Sequence, residues 1–136
     1  MFLLDTNVIS EVRKGPHCHR NVAARWATVD GAELYLSILV LGEIRRGIDR
    51  AQSRDPARAR LLERWIEHVY RGFSGRVLAI DRRVADEWGR MSAKRNVPVV
   101  DALLAATARV HGMTLVTRNI ADVDGLDVAT LDPFRA

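Results

Sequence analysis

The chain has 136 residues, a formal net charge of +4 and one cysteine, so an intrachain disulfide framework is excluded. Its length suffices for one hydrophobic core, and no stretch approaches the ~20 consecutive apolar residues of a membrane span. We therefore expect a single domain over residues 1–136 that is cytoplasmic and makes no contact with a membrane. Only Lys14 and Lys94 of the 21 basic residues are lysines. This arginine bias suits a polyanionic partner, although a GC-rich genome produces the same bias.

Five short apolar runs alternate with helical patterns along the chain. The predicted strands cover residues 2–5, 34–37, 76–80, 113–117 and 128–131. The predicted helices cover residues 6–13, 20–29, 38–52, 55–73, 82–95 and 99–111, with Asp55 and Asp81 as N-caps. This alternation predicts an α/β fold of three layers, in which about five mostly parallel strands lie between helices.

Three acidic residues are expected to meet at the carboxyl edge of this sheet, where open α/β sheets bind ligands. Asp5 ends the first strand, Glu43 lies on the second turn of the helix after the second strand, and Asp101 begins the most apolar helix. Each has a structural alternative. Asp5 suits a turn cap, and Asp101 suits the positive end of a helix dipole or a capping position. Glu43 suits an ion pair with Arg46 or exposure to solvent beside a glycine. Three such placements at one edge favour a shared site.

The fourth strand adds polar residues at the same edge. It runs into Thr117, Arg118 and Asn119, and Asp122 follows one turn later. Oxygen ligands from scattered positions, without a histidine or cysteine set, are typical of Mg²⁺ or Mn²⁺ rather than Zn²⁺. The sequence therefore predicts a magnesium site that also permits manganese.

In order and spacing, four segments resemble the motif regions of PIN-domain ribonucleases. They are Leu4-Asp5-Thr6-Asn7, the stretch from Ser37 to Glu43, Asp101 in the helix after Pro98, and Val116-Thr117-Arg118-Asn119. The first segment and the chain length look most like VapC toxins of type II toxin–antitoxin modules, in the FitB-like branch.

This resemblance implies a PIN-domain fold and assigns roles to individual residues. Asp5, Glu43 and Asp101 would bind the metal, and Asn119 stands where several relatives have a fourth acid. Asn119 adds no charge, so the resemblance leaves a second metal open, with Asp122 as a candidate substitute. The implied supporting polar residues are Thr6, Asn7, Ser37, Thr117 and Asp122. The candidate RNA contacts are Arg13, Arg46 and Arg118.

The implied function is a metal-dependent endoribonuclease in which water attacks the phosphodiester bond. A VapB-like (FitA-like) antitoxin would be the partner, and DNA would be contacted only through that antitoxin. Its peptide would lie in a groove between the helices predicted at residues 38–52 and 55–73, flanked by Leu41, Ile44 and Trp65. The same helical region would supply a homodimer surface.

Two other readings remain. One is a PIN-fold binding module with weak or no nuclease activity that acts with a DNA-binding antitoxin at a promoter. The other is a receiver-like signalling domain in which Asp5 accepts phosphate. The second has little support, because neither of the two lysines follows a strand.

Overall fold

A five-stranded, all-parallel sheet runs through the centre of the structure, a computed structural model that describes residues 1–136. Its strands are β1 (Phe2–Leu4), β2 (Leu34–Ser37), β3 (Val77–Leu78), β4 (Thr114–Val116) and β5 (Thr130–Leu131). Seven α-helices surround it: α1 (Thr6–Val12), α2 (Arg20–Trp26), α3 (Ile38–Gln52), α4 (Pro56–Gly72), α5 (Arg82–Lys94), α6 (Val99–His111) and α7 (Ile120–Val123). Short 3₁₀ turns at Gly15–His17 and Gly31–Glu33 precede α2 and β2.

The strand order places the start of the chain in the middle of the sheet. The order is β3-β2-β1-β4-β5, so the chain first builds outward from β1 through β2 to β3 and then returns to add β4 on the other side of β1. In parallel α/β sheets such a reversal leaves a crevice at the carboxyl ends of the two strands beside it. Here that crevice lies between β1 and β4, which end directly before Asp5 and Thr117.

The helices form two layers. Helices α1 to α4 pack on one another, whereas α5, α6 and α7 form a second group in which α6 also contacts β1 and β4. The buried face of α6 is rich in alanine, and Ala102, Ala105, Ala106 and Ala108 have no exposed surface. Such small side chains let a helix lie close to the sheet, which brings the first turn of α6 to the crevice. The predicted three-layer α/β architecture is confirmed.

The predicted elements are present, with shorter ends. Strand β3 keeps two residues of the five predicted, and β5 keeps two of four. Asp55 and Asp81 cap α4 and α5 as predicted, since their carboxylates accept hydrogen bonds from the backbone of Arg58 and Val84. Helix α7 was not predicted, because four residues are too few to show helical periodicity. None of the helices has both the length and the apolar character needed to cross a bilayer.

Candidate active site

Asp5 is the most constrained acid of the crevice. Its side chain is 5% exposed, and the Thr117 hydroxyl donates to its Oδ2 at 2.7 Å across the β1–β4 boundary. The Thr6 backbone N–H donates to Oδ1 at 2.7 Å, so Asp5 also caps α1. Burial raises the pKa of Asp5, and the charge of Glu43 raises it further, while the hydrogen bonds from Thr117 and Thr6 oppose that shift. Asp5 is therefore both the cap of α1 and a buried acid of the crevice.

Glu43 is joined to the same end of α1. The Thr6 hydroxyl donates to Glu43 Oε1 at 2.6 Å, and Arg46 Nη2 lies 3.5 Å from Oε2. The ion pair considered as an alternative for Glu43 therefore forms, although the Arg46 side chain is more than half exposed. Such an exposed pair contributes little to stability, so it leaves Glu43 available to a ligand.

Asp101 lies on the first turn of α6, within electrostatic reach of three other carboxylates. Burial raises the pKa of Asp101 to about 6, with further contributions from the charge of Asp5, from the charge and a side-chain hydrogen bond of Asp122, and from Glu43. Asp122 is partly buried on α7, which packs against α6. The fourth acid of the cluster is thus supplied by α7.

Asn119 and Ser37 lie at the edge of the sheet but have other surroundings. Asn119 is exposed at the start of α7, and its side chain makes no capping hydrogen bond. Its backbone N–H donates to the Thr117 hydroxyl at 3.0 Å, which orients the group that holds Asp5. The buried Ser37 hydroxyl accepts from the Leu39 N–H at 3.1 Å and caps α3. Asn7 supports the site more directly, since its Nδ2 lies 3.4 Å from Asp5 Oδ2.

The chemistry of the cluster fits a hard divalent cation, although its side chains do not form a closed cage. No three acidic, histidine or cysteine side chains are arranged around a common point for an ion. Burial and the charges of neighbouring carboxylates nevertheless raise the pKa of Asp5 and of Asp101, and a cation would favour the charged form of both. Mg²⁺ retains several water ligands and needs only one or two direct carboxylates, so the donor set fits this ion. Asp5, Glu43, Asp101 and Asp122 are the residues that would hold it.

A groove leads away from the cluster between α1, α3 and α4. It encloses about 360 Å³, and Glu43 is one of its lining residues. Its apolar surface comes from Ile44, Leu62 and Trp65, and its basic residues are Arg13, Lys14 and Arg58. The groove expected between the helices at residues 38–52 and 55–73 thus has α1 as a third wall. Leu41 is not part of its lining.

The candidate RNA-binding arginines have different environments. Arg46 pairs with Glu43, and the Arg13 guanidinium lies over the Trp65 ring, 5.4 Å from its centroid. Arg118 is exposed and has no acidic partner within ion-pair distance. Basic side chains such as these would attract a polyanion through its phosphates.

Two features were absent from the sequence-based expectations. Glu11 is 9% exposed and bridges Lys14, at 3.0 Å, to the backbone N–H of His19, at 3.1 Å, which fastens the segment between α1 and α2. An apolar cavity of about 470 Å³ lies beside α2 against the sheet, and Leu4, Trp26 and Val116 are among its lining residues. It contains none of the four clustered acids, so the smaller groove at Glu43 is the better candidate for the chemistry.

Comparison with known proteins agrees with this geometry. Residues 2–123 match the family model described as PIN domain. The chain is 32% identical over 139 residues to Toxin FitB of Neisseria gonorrhoeae, covering 98% of this chain and 99% of that one. It is 30% identical over 140 residues to VapC ribonuclease Y4jK of Sinorhizobium fredii, covering 98% of both. The crystal structure of FitAcB from Neisseria gonorrhoeae superposes with a TM-score of 0.89 at 30% identity, covering 100% of both chains.

The raised pKa of Asp101 predicts a stability effect with a definite sign. Between the ordinary value of 3.8 and about 6, the folded chain holds a proton that the unfolded chain releases, so the free energy of unfolding falls as pH rises. Asp101→Asn removes this penalty. Without metal, we expect this substitution to raise the free energy of unfolding by about 1 kcal/mol at pH 7.5, a figure reduced for the partial exposure of Asp101. Below pH 4 the substitution should leave the free energy of unfolding unchanged.

Urea denaturation of the metal-free chain at several pH values measures this effect. Asp49→Asn is the matched control, because Asp49 is an exposed acid of α3 without a salt-bridge partner. Its free energy of unfolding should show no comparable pH-dependent rise. An Asp101→Asn variant that is less stable than the wild type at pH 7.5 would contradict the electrostatic account.

Proposed function

Because this chain belongs to the PIN-domain family, in its VapC-like, FitB-like branch, we propose that it is the toxin of a type II toxin–antitoxin module and a metal-dependent endoribonuclease. The observation that carries the proposal is the meeting of four carboxylates at the crevice between β1 and β4. The relative named a VapC ribonuclease supports RNA as the substrate.

A bound Mg²⁺ or Mn²⁺ would neutralise charge on the scissile phosphate and lower the pKa of the attacking water. The chain's own residues prepare the site. Thr117 and Thr6 fix the two oxygens of Asp5, and the Thr6 hydroxyl fixes Glu43, so both carboxylates have defined orientations before substrate binds. Burial and neighbouring carboxylates raise the pKa of Asp101 to about 6, and a cation held there would favour its charged form.

No histidine acid–base pair belongs to this cluster. Attack by water instead of the ribose 2′-hydroxyl leaves 5′-phosphate and 3′-hydroxyl ends. Sequencing of 5′-phosphate RNA ends after induction of the chain therefore both tests the nuclease activity and identifies the cleaved RNA.

The partner that fits the groove is an antitoxin segment with two kinds of side chain. A basic side chain would pair with Glu43, which lines the groove, and exclude the cation or the phosphate from the cluster. Apolar side chains would pack on Ile44, Leu62 and Trp65. In this proposal the antitoxin is VapB-like (FitA-like), and the module contacts DNA only through it. A homodimer and a cytoplasmic location remain expectations of the same proposal.

A second function, a binding module with weak or no nuclease activity, has two observations in its favour. Each of the two best-fixed acids already accepts a threonine hydroxyl, and no three acids surround a common point. Metal-dependent cleavage by the purified chain would exclude this function. A chain that binds the antitoxin, joins the complex of the antitoxin with its promoter DNA and cleaves no RNA would favour the binding function.

Cleavage should depend on each of three acids. Asp5→Asn, Glu43→Gln and Asp101→Asn keep the side-chain volume and remove a charge, so we expect folded proteins whose cleavage rate with Mg²⁺ falls by about 100-fold or more. EDTA should abolish cleavage by the wild type, and excess Mn²⁺ should restore it. Asp49→Asn is the control and should cleave at the wild-type rate. Cleavage by Asp5→Asn at the wild-type rate would refute the site.

In this proposal Asp122, and not Asn119, is the fourth ligand. Asp122→Asn removes a charge beside Asp101, so we expect it to weaken Mn²⁺ binding about 10-fold, whereas Asn119→Ala should change the affinity by less than about 2-fold. Isothermal titration calorimetry with Mn²⁺ measures both variants. The reverse order would show that Asn119 faces the metal.

Antitoxin affinity should depend on the groove. Trp65→Ala removes its large aromatic surface, and we expect the dissociation constant to rise about 30-fold or more. Trp88→Ala is the matched control, because Trp88 is also partly buried but lies on α5 in the other helical layer. Binding of the cognate antitoxin to each surface-immobilised variant measures the two dissociation constants. Equal losses in both variants would mean that Trp65 acts through stability and not through contact.

A further inference from the structure

Arg118 lies directly beside the acidic cluster and has a free guanidinium. It follows Thr117, whose hydroxyl binds Asp5, and its own backbone N–H donates to Asn7 Oδ1 at 3.4 Å. Its side chain is exposed and has no carboxylate partner, whereas Arg46 and Arg83 each have one. The backbone of Arg118 thus adjoins the acidic cluster, and its guanidinium has no ion-pair partner with which an incoming anion would have to compete.

The guanidinium of Arg118 rests on an aromatic ring from a distant part of the chain. Its Cζ lies 4.4 Å from the centroid of Phe134, which follows β5 and is 9% exposed. This is the shortest of the three cation–aromatic contacts in the structure. The ring therefore provides a buried support for a side chain that is otherwise surrounded by solvent.

Phe134 is itself held from three directions. Its N–H donates to Asp132 Oδ1 at 2.9 Å, its carbonyl accepts from Asn21 Nδ2 at 2.7 Å, and the His19 ring meets it edge-on at 5.5 Å. Two of these contacts come from α2 and its N-cap. The ring is thus fixed to the helical layer and not only to its own turn.

Stacking on a ring uses the face of a guanidinium and leaves the N–H donors on its edge free. Those donors lie in one plane and bind phosphate oxygens in pairs, which a lysine ammonium cannot do. A ring that fixes the plane also lowers the side-chain entropy lost on binding. The Arg118–Phe134 pair therefore has the properties of a preorganised phosphate-binding group.

We propose that Arg118 binds a backbone phosphate of single-stranded RNA next to the scissile bond, and that Phe134 is a positioning residue that holds the Arg118 guanidinium for this contact. The proposal rests on the proposed ribonuclease function. It makes the segment after β5 part of the substrate site, although no acidic motif lies there.

Fluorescence anisotropy with a short fluorescein-labelled single-stranded RNA tests this without cleavage if every variant carries Asp5→Asn. We expect Arg118→Lys, which keeps the charge but lacks the planar donor pair, to weaken binding about 5-fold, and Phe134→Leu to weaken it about 3-fold. Phe134→Tyr keeps the ring and should bind as the parent does. Arg118→Ala should reduce the slope of log affinity against log salt by about 0.7, the contribution of one phosphate contact on a single strand.

A double-mutant cycle separates positioning from a structural role. If Phe134 acts through Arg118, then Phe134→Leu should cost little more RNA affinity in the Arg118→Lys background, although it lowers thermal stability in both backgrounds. Arg135→Lys is the matched control, since Arg135 belongs to the same segment, is 84% exposed and pairs with Asp132. It should leave RNA affinity unchanged.

The outcomes distinguish this inference from the function on which it rests. Binding of RNA by Arg118→Lys with the parent's affinity, or additive effects in the cycle, would overturn the inference while the ribonuclease function stands. The Arg118→Lys result decides the matter even if Phe134→Leu does not fold. If the parent binds no RNA and the wild type cleaves none, the proposed function fails and the inference fails with it.

Discussion

The hydrogen bond from the Thr117 hydroxyl to Asp5 connects the two strands between which the chain reverses its direction across the sheet. Both partners are almost fully buried, so leaving either without the other would cost about 1–3 kcal/mol. The bond fixes Asp5 Oδ2, while the N-terminus of α1 fixes Oδ1, and Thr6 at that N-terminus in turn fixes Glu43. The orientation of two of the four clustered acids therefore depends on this one junction.

Packing on the other side of the sheet supplies the remaining acids. Helix α6 approaches β1 and β4 through alanine side chains, and α7 packs on α6. These contacts bring Asp101 close enough to Asp5 and to Asp122 for their charges to interact. The cluster thus joins both helical layers through the sheet, and its mutual repulsion is a cost that the surrounding core offsets.

The sequence predicted the fold because hydrophobic periodicity and capping act locally. Strands at residues 2–5 and 34–37 and the caps at Asp55 and Asp81 follow from residues within a few positions of one another. The family resemblance identified Asp5, Glu43 and Asp101 as site residues, and the structure brings these three together. Whether they bind a metal stays a prediction.

What the sequence did not reveal depends on contacts between distant residues. The proximity of Asp122 to Asp101 requires the short helix α7, which has too few residues to show a pattern. The stack of Arg118 on Phe134 and the bridge from Glu11 to the His19 backbone depend on tertiary packing, for which no local spacing gives a signal. Glu11 in particular has the spacing of an ordinary helix-surface acid with Lys14 and is instead nearly buried.

The position of β1 has a consequence for biosynthesis. Residues that bond in the finished site are separated by 112 positions, so Thr117 leaves the ribosome well after Asp5. At roughly 5–20 residues per second, several seconds pass between the emergence of Asp5 and that of Thr117. A nascent chain therefore lacks the Asp5–Thr117 junction until Thr117 has emerged. A partner that binds the finished cluster has that interval in which to be present before the cluster is complete.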